Sequence, residues 1–138
     1  MNERIEKPWG WSQEVYRDEL TRVVRIHVKP GGFCSWHKHE RQDNTFIVLS
    51  GELTINEAIR ESRDGRFDEL FGGQLEAGMT TSVIAGVVHR FVNILDRPVD
   101  ALEIYTSSEM SDCDPSPPDE NDIVRFSEGG VLDLESGK

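Results

Sequence analysis

The sequence predicts an all-β domain built from antiparallel strands, arranged as a sandwich or a barrel. Short segments in which apolar and polar residues alternate are typical of strands with one buried face. Turns marked by glycine or proline separate these segments, and no stretch has the periodicity of a long helix. A chain of 138 residues fits one domain of this class.

The first predicted strands cover residues 14–17 and 20–28, with a turn at Asp18 and Glu19 between them. In the second strand, one face is fully apolar and the other carries Arg25 and His27. We expect the mixed face to be exposed to solvent. The alternative is that Arg25 and His27 line a pocket, where their charge would suit an anionic substrate.

Further predicted strands follow along the chain. The apolar run at residues 46–49 is one, and residues 52–75 predict a hairpin with a charged loop around Asp64-Gly65. A short helix over residues 56–62 is the alternative for part of that hairpin. Alternation resumes at residues 80–84, 87–94 and 99–105.

The expected organisation has four parts. Residues 1–12 form an N-terminal arm, in which burial of Trp9 and Trp11 is favoured over an aromatic wall for a ligand. Residues 13–107 form the barrel, and residues 108–121 form an acidic, proline-rich tether. Residues 122–138 form a C-terminal segment that docks on the barrel.

Composition restricts the possible partners. A formal net charge of −11 excludes nucleic acid and anionic membranes as partners, because both would be repelled at long range. The sequence shows neither a secretory signal nor a membrane-spanning run, which predicts a cytoplasmic protein. Cys34 and Cys113 predict two free thiols, with Cys34 as a small buried apolar residue and a metal ligand as the alternative.

Two histidines two residues apart indicate half of a metal site. On a strand, His37 and His39 would project from the same face. His89 follows Gly86, which can form a tight turn just before the strand that carries this histidine. Three imidazoles at these positions favour metal binding, whereas any one of them alone would indicate only a hydrogen-bonded strand residue.

The spacing of these residues resembles the two motifs of the cupin superfamily. The residues that match are Gly31, His37, His39 and Gly51 in the first motif and Gly78, Gly86, His89 and Asn93 in the second. The resemblance implies a double-stranded β-helix, that is, a jelly-roll barrel, with His37, His39 and His89 as metal ligands. Asn93 is expected to bond to the backbone in a turn.

A closer resemblance links this chain to the cupin region of type II mannose-6-phosphate isomerases. It rests on the segments at residues 8–10, 25–31, 47–51 and 120–126. Gln42 and Asn44 stand where that family has an arginine and a glutamate, and Ile84 stands at the proline position of the second cupin motif. At these positions the sequence departs from the pattern of the family.

The asparagine changes the expected chemistry of the metal site. Asn44 offers a neutral amide oxygen, so three imidazoles and one amide would leave a divalent ion with two uncompensated positive charges. We expect weaker metal binding but stronger Lewis acidity. Asp43 would need a β-bulge to replace Asn44 as a ligand. Zinc, iron, manganese, nickel and copper all accept imidazole, so the sequence does not identify the metal.

Three functions remain open from the sequence. The first is a cupin that binds one divalent metal and a small polar ligand, with a sugar or sugar phosphate favoured by resemblance and an isomerase-like reaction if it is an enzyme. The second is an iron-dependent dioxygenase, and the third is a non-catalytic sugar-binding or sensor module. A homodimer is expected, since cupins commonly pair through their sheets.

Overall fold

The computed structural model describes residues 2–61, 67–108 and 118–134. The predicted turn at Asp64-Gly65, Cys113 and most of the predicted tether lie outside these residues. Every regular element in the described residues is a β-strand, and all strand pairs are antiparallel. The predicted all-β class is therefore confirmed. The described residues contain no helix long and apolar enough to cross a bilayer.

Thirteen strands are present in the described residues. They are β1 (Ile5–Lys7), β2 (Gly10–Arg17), β3 (Thr21–Val28), β4 (Gly32–Phe33), β5 (His37–Lys38), β6 (Gln42–Ser50), β7 (Glu52–Glu61), β8 (Phe67–Glu76), β9 (Thr80–Val83), β10 (His89–Val92), β11 (Val99–Ser107), β12 (Val124–Arg125) and β13 (Gly130–Val131). Strand β7 replaces the helical alternative over residues 56–61. Strand β2 begins at Gly10, within the stretch expected to form an arm.

Two sheets form the barrel. The first has the strand order β1-β2-β3-β11-β6-β9. In the second, β10 pairs on one edge with β4 and β5 and on the other with β7, which also pairs with β8. Strands β12 and β13 add to β5 and β4. The C-terminal residues thus extend the sheet that carries His37 and His89.

The space between the sheets is filled by alternate side chains of the long strands. Ile26, Val28, Phe46, Leu53 and Val99 are fully buried there. Complete burial of each such side chain stabilises the fold by about 1.5–3 kcal/mol relative to exposure. The core occupies one part of the barrel, and polar side chains of the same strands line the rest.

Turns with glycine in the left-handed region connect the strands. Gly51 joins β6 to β7 with φ of 82°, and a Cβ atom there would lie 2.8 Å from the carbonyl oxygen of Pro98. Gly78 lies in the turn before β9 with φ of 88°, and a Cβ atom there would have no neighbour within 4 Å. Glycine is therefore required at Gly51 by both the positive φ and the close contact, and at Gly78 by the positive φ alone.

We expect Gly51→Ala to destabilise the protein more than Gly78→Ala. Backbone strain at Gly78 should cost about 1 kcal/mol, whereas at Gly51 the contact with Pro98 adds to the same strain and should raise the loss above about 2 kcal/mol. The measurement is the free energy of unfolding in urea for both variants. Equal losses would show that the contact at Gly51 is relieved at no cost.

Candidate functional site

Three histidines meet at one end of the barrel core. His37 on β5 and His89 on β10 are directly opposite each other in adjacent strands, and His39 follows β5. Their ring centroids are 4.5 Å apart for His37 and His89, 5.0 Å for His37 and His39, and 5.5 Å for His39 and His89. All three residues are buried, and their candidate ligand atoms lie within 4.8 Å of one another. They could therefore hold one metal ion.

Hydrogen bonds at Nδ1 fix the orientation of all three rings. The Nδ1 atom of His37 lies 2.8 Å from the carbonyl oxygen of Ser35, that of His39 2.7 Å from the carbonyl oxygen of Asp122, and that of His89 3.0 Å from the carbonyl oxygen of Val87. A carbonyl only accepts, so each Nδ1 carries the proton and each Nε2 presents a lone pair. The Nε2 atoms of His39 and His89 are buried without a hydrogen-bond partner. This is the donor arrangement that imidazole-bound metals require.

The electrostatics of the site keep His37 and His89 neutral. Burial lowers the pKa of His37 well below its usual value, and the charges of His89, His39 and Arg125 lower that pKa further. Burial also lowers the pKa of His89 to about 4, although its bond to the Val87 carbonyl opposes the shift. Neutral imidazole is the form that binds metals.

Asn44 is fully buried on the inward face of β6. Its Nδ2 atom donates to Oε2 of Glu103 over 2.8 Å, while its Oδ1 atom is buried without a partner. Asp43 points to the opposite face, where its Oδ1 atom accepts a hydrogen bond of 2.8 Å from the backbone N–H of Ala85. Asp43 therefore anchors the turn before β10, and no bulge turns it toward the histidines.

The C-terminal residues take part in the site through Asp122. Besides the carbonyl that accepts from His39, the Asp122 side chain accepts hydrogen bonds from the backbone N–H groups of Glu40 and Arg41. Gln42 lies close by, with Nε2 3.3 Å from both Nδ1 of His39 and the carbonyl oxygen of Asp119. The orientation of His39 thus depends on a contact with residues more than eighty positions away.

A cavity of about 610 Å³ adjoins His37 and His39. Polar lining residues include His37, His39, Gln42, Glu103 and Arg125, and the apolar lining includes Trp9, Phe91 and Tyr105. A volume of this size suits a small molecule, and a mainly apolar wall with a few convergent polar groups is typical of ligand sites.

Comparison with known proteins identifies the family. Residues 24–105 match the family described as "Cupin domain". The chain belongs to the cupin family. The cupin double-stranded β-helix predicted from the two motifs is therefore the observed fold.

Two curated relatives of this cupin are proteins with sugar-related names. "Xanthan biosynthesis protein XanB" from Xanthomonas campestris is 28% identical over 123 residues, which cover 89% of this chain and 22% of the relative. "Mannose-1-phosphate guanylyltransferase" from Sinorhizobium fredii is 23% identical over 124 residues, which cover 88% of this chain and 20% of the relative. The chain thus spans about a fifth of the length of each relative.

A solved structure shows the same fold. The double-stranded β-helix protein from Klebsiella pneumoniae has a TM-score of 0.59 and 21% sequence identity, with 78% of this chain and 79% of that chain covered. At this level of identity the likeness concerns the fold alone.

Other residues singled out from the sequence lie outside the histidine cluster. Arg25 and His27 are on the outer face of the first sheet, where both contact Asp100, so the pocket alternative for them is wrong. Cys34 is buried, its thiol accepts a hydrogen bond from the Phe91 backbone, and burial raises its pKa. Asn93 bonds to backbone carbonyls in a turn, as expected.

The two tryptophans have different environments in this cupin. Trp9 is buried and packs edge-on against Phe91, with ring centroids 4.9 Å apart, and it also lines the cavity. Trp11 is half-buried on the outer face and stacks on His27. Burial of an anchoring tryptophan is thus confirmed for Trp9, which in addition forms part of the cavity wall.

Sequence reasoning missed Glu103. This carboxylate is buried on β11, lines the cavity and accepts hydrogen bonds from Asn44 and from the hydroxyl of Tyr105. Burial and the charge of Glu103 raise the pKa of Tyr105 well above its usual value, so its hydroxyl remains the donor. The sequence does contain a signal for it, because Glu103 alternates with Ala101 and Tyr105 and so lies on the same face of the strand as these two residues.

In the metal-free protein, we expect stability to fall as the pH decreases from about 6.5 toward about 4. The unfolded chain takes up protons with an ordinary histidine pKa of about 6.5, before the folded chain does, because the folded-state pKa of His89 is about 4. Between pH 6.5 and pH 5, His89 alone should remove about 1.5 kcal/mol from the free energy of unfolding.

Urea unfolding with a chelator present, at the two pH values, measures this loss. The His89→Gln variant cannot titrate at this position, so its unfolding free energy should change less with pH than that of the parent. The same pH dependence in both proteins would contradict the assignment of the lowered pKa to His89.

Proposed function

We propose that this cupin binds one divalent transition metal ion through the Nε2 atoms of His37, His39 and His89 and takes a small polar, anionic ligand in the adjoining cavity. The observation that carries the proposal is the commitment of all three Nδ1 atoms to backbone carbonyls. This leaves three lone pairs directed away from those carbonyls in a buried cluster, and the Nε2 atoms of His39 and His89 have no hydrogen-bond partner in the described residues. Such unsatisfied acceptors are costly unless a ligand group completes them.

The donor set limits the choice of metal. Three neutral imidazoles suit zinc, iron, manganese, nickel or copper, and they do not suit calcium or magnesium, which prefer oxygen ligands. Asn44 would add a neutral amide oxygen as a fourth protein ligand, since its Oδ1 atom is buried and unpartnered. When bound, a divalent ion supplies Lewis acidity toward a carbonyl or phosphate oxygen of the ligand.

Charge at the site favours an anionic ligand. Neutral ligands from the protein leave the positive charge of a divalent ion uncompensated. Arg125 adds to this positive charge. It lines the cavity, lies directly opposite His37 in the adjacent strand and lowers the pKa of that histidine. Arg17, Arg22 and Arg25 each have an acidic partner within salt-bridge distance, whereas within the described ranges Arg125 has none. Its guanidinium is therefore available to an anionic group in the cavity.

The favoured ligand class is a sugar phosphate. One relative is named for mannose-1-phosphate and another for xanthan biosynthesis, although this chain matches only about a fifth of each. A sugar phosphate would combine an anionic group for Arg125 with hydroxyl or carbonyl oxygens for the metal. If the protein is an enzyme, we propose an isomerase-like reaction on such a compound, in which Trp9, Phe91 and Tyr105 exclude water from the reacting atoms.

The purified protein should contain or take up one transition metal ion per chain, and removal of a ligand histidine should abolish this. We expect His37→Ala and His89→Ala to weaken metal affinity beyond the roughly 10–100-fold that loss of an outer-shell partner typically costs. Elemental analysis and competitive chelator titration measure the effect. His27→Ala is the matched control, since His27 is bonded to Asp100 on the outer face and should leave the affinity unchanged.

The outcome that rejects the metal site is absence of binding by the parent for every metal of the imidazole-preferring group. Equal binding by the parent and His89→Ala would also reject it. Folding of each variant is checked by thermal unfolding with a chelator present, which separates a lost ligand from a lost structure.

We expect Arg125→Ala to weaken the binding of mannose 6-phosphate to the metal-loaded protein about tenfold, because a charge-assisted hydrogen bond to the phosphate is lost. Isothermal titration calorimetry measures the dissociation constant. Arg25→Ala removes the same charge from the outer face and should change the affinity little. Equal weakening by both substitutions would show that only the overall charge matters and that Arg125 does not contact the ligand.

A further inference from the structure

We propose that Glu103 is a positioning residue for the metal site, which fixes the side-chain amide of Asn44 so that Oδ1 faces the three histidines. This inference rests on the proposed metal binding. It assigns a role to a buried carboxylate that does not itself belong to the histidine cluster. Glu103 acts through Asn44, and only Asn44 would contact the ion.

The first step concerns the direction of the Asn44 amide. An amide has a donor end and an acceptor end, and these can be exchanged by a rotation of 180° about the last side-chain bond. A carboxylate only accepts hydrogen bonds, so the end that faces Glu103 must be Nδ2. The observed bond from Nδ2 of Asn44 to Oε2 of Glu103 is 2.8 Å long. Glu103 thereby determines that Oδ1 is the end of the amide that points away from the carboxylate.

The second step concerns where that other end lies. Asn44 sits between Gln42 and Phe46 on the inward face of β6. Gln42 contacts Nδ1 of His39 at 3.3 Å, and the ring of Phe46 lies 6.2 Å from that of His89. Directly opposite Asn44 on β11 is Tyr105, whose ring centroid is 5.3 Å from that of His39. The neighbours of Asn44 on three sides thus touch the histidines.

The third step concerns the energy of the arrangement. Oδ1 of Asn44 is fully buried and has no hydrogen-bond partner. The same is true of the Nε2 atoms of His39 and His89. A buried acceptor without a partner costs free energy, and one bound cation would satisfy all three of these acceptors. Glu103 meanwhile accepts a second hydrogen bond from the hydroxyl of Tyr105, which holds the carboxylate in place on β11.

The test measures the affinity for Co²⁺ and the visible absorption spectrum of the Co²⁺ complex in four proteins: the parent, Glu103→Gln, Asn44→Ala and the double variant. Glutamine keeps the size of the side chain and an acceptor atom, but its own NH₂ group no longer forces Nδ2 of Asn44 toward it. We expect Glu103→Gln to lower the affinity about tenfold, within the range typical of outer-shell partners, and to shift the spectrum in the same direction as Asn44→Ala.

The double variant decides whether Glu103 acts through Asn44. In the Asn44→Ala background, Glu103→Gln should change the affinity by less than about twofold, because the group that it positions has been removed. A tenfold loss in both backgrounds would overturn the proposal and show that the carboxylate acts through its charge alone. An unchanged affinity and spectrum in Glu103→Gln or in Asn44→Ala would also overturn it.

Asp100→Asn is the matched control. It makes the same change from carboxylate to amide on the outer face of β11, where Asp100 contacts Arg25 and His27, so we expect the Co²⁺ affinity to change by less than about twofold. Failure of this proposal is distinguishable from failure of the metal site itself. In the first case the parent binds Co²⁺ in a manner that requires His37 and His89, and in the second case it does not bind Co²⁺ at all.

Discussion

Three hydrogen bonds from imidazole Nδ1 atoms to backbone carbonyls determine the arrangement of the candidate site. Two are local, because His37 and His89 each bond to the carbonyl two residues earlier in the chain. The third joins His39 to Asp122, eighty-three positions away. The site therefore depends on the packing of the C-terminal residues, since without that contact His39 would have no fixed tautomer. A metal site assembled in this way forms only when the chain has folded completely.

The barrel accommodates polar groups that would otherwise destabilise a β-sheet core. Strands β6 and β11 bury Gln42, Asn44 and Glu103 on the same side as Phe46, Val48 and Ala101. Glu103 accepts hydrogen bonds from Asn44 on the adjacent strand and from Tyr105 on its own strand, which offsets much of the cost of desolvation. The acceptors left over in this neighbourhood include Nε2 atoms of two histidines and Oδ1 of Asn44. The proposed metal ion would satisfy these acceptors.

The strands and the three histidines could be predicted from the sequence because their signals are local. Alternation marks β3 and β11, and the spacing of His37, His39 and His89 matches two cupin motifs. The face that each strand buries was harder to predict, since β11 turns Glu103 inward and leaves Leu102 and Ile104 half-exposed, opposite to their hydropathy. The partner of His39 could not be predicted, because no local pattern pairs Asp122 with a residue so far away. Arg25 and Arg125 illustrate the same limit, since only the fold places the second at the cavity and the first outside it.

The substitution of asparagine for the family's glutamate ligand looks different once Glu103 is considered. A glutamate at position 44 would place its negative charge directly on the ion, whereas here the carboxylate of Glu103 is bonded to the Asn44 amide and is one hydrogen bond further away. A charge at that distance still attracts a cation in a buried site. It occupies no coordination position, however, and donates no electron pair to the metal. The ion would therefore keep more of its Lewis acidity than in a site with a glutamate ligand, while part of the cost of burying its charge is offset. This combination favours a ligand that brings its own negative charge to the metal, and Arg125 in the wall of the cavity favours the same class.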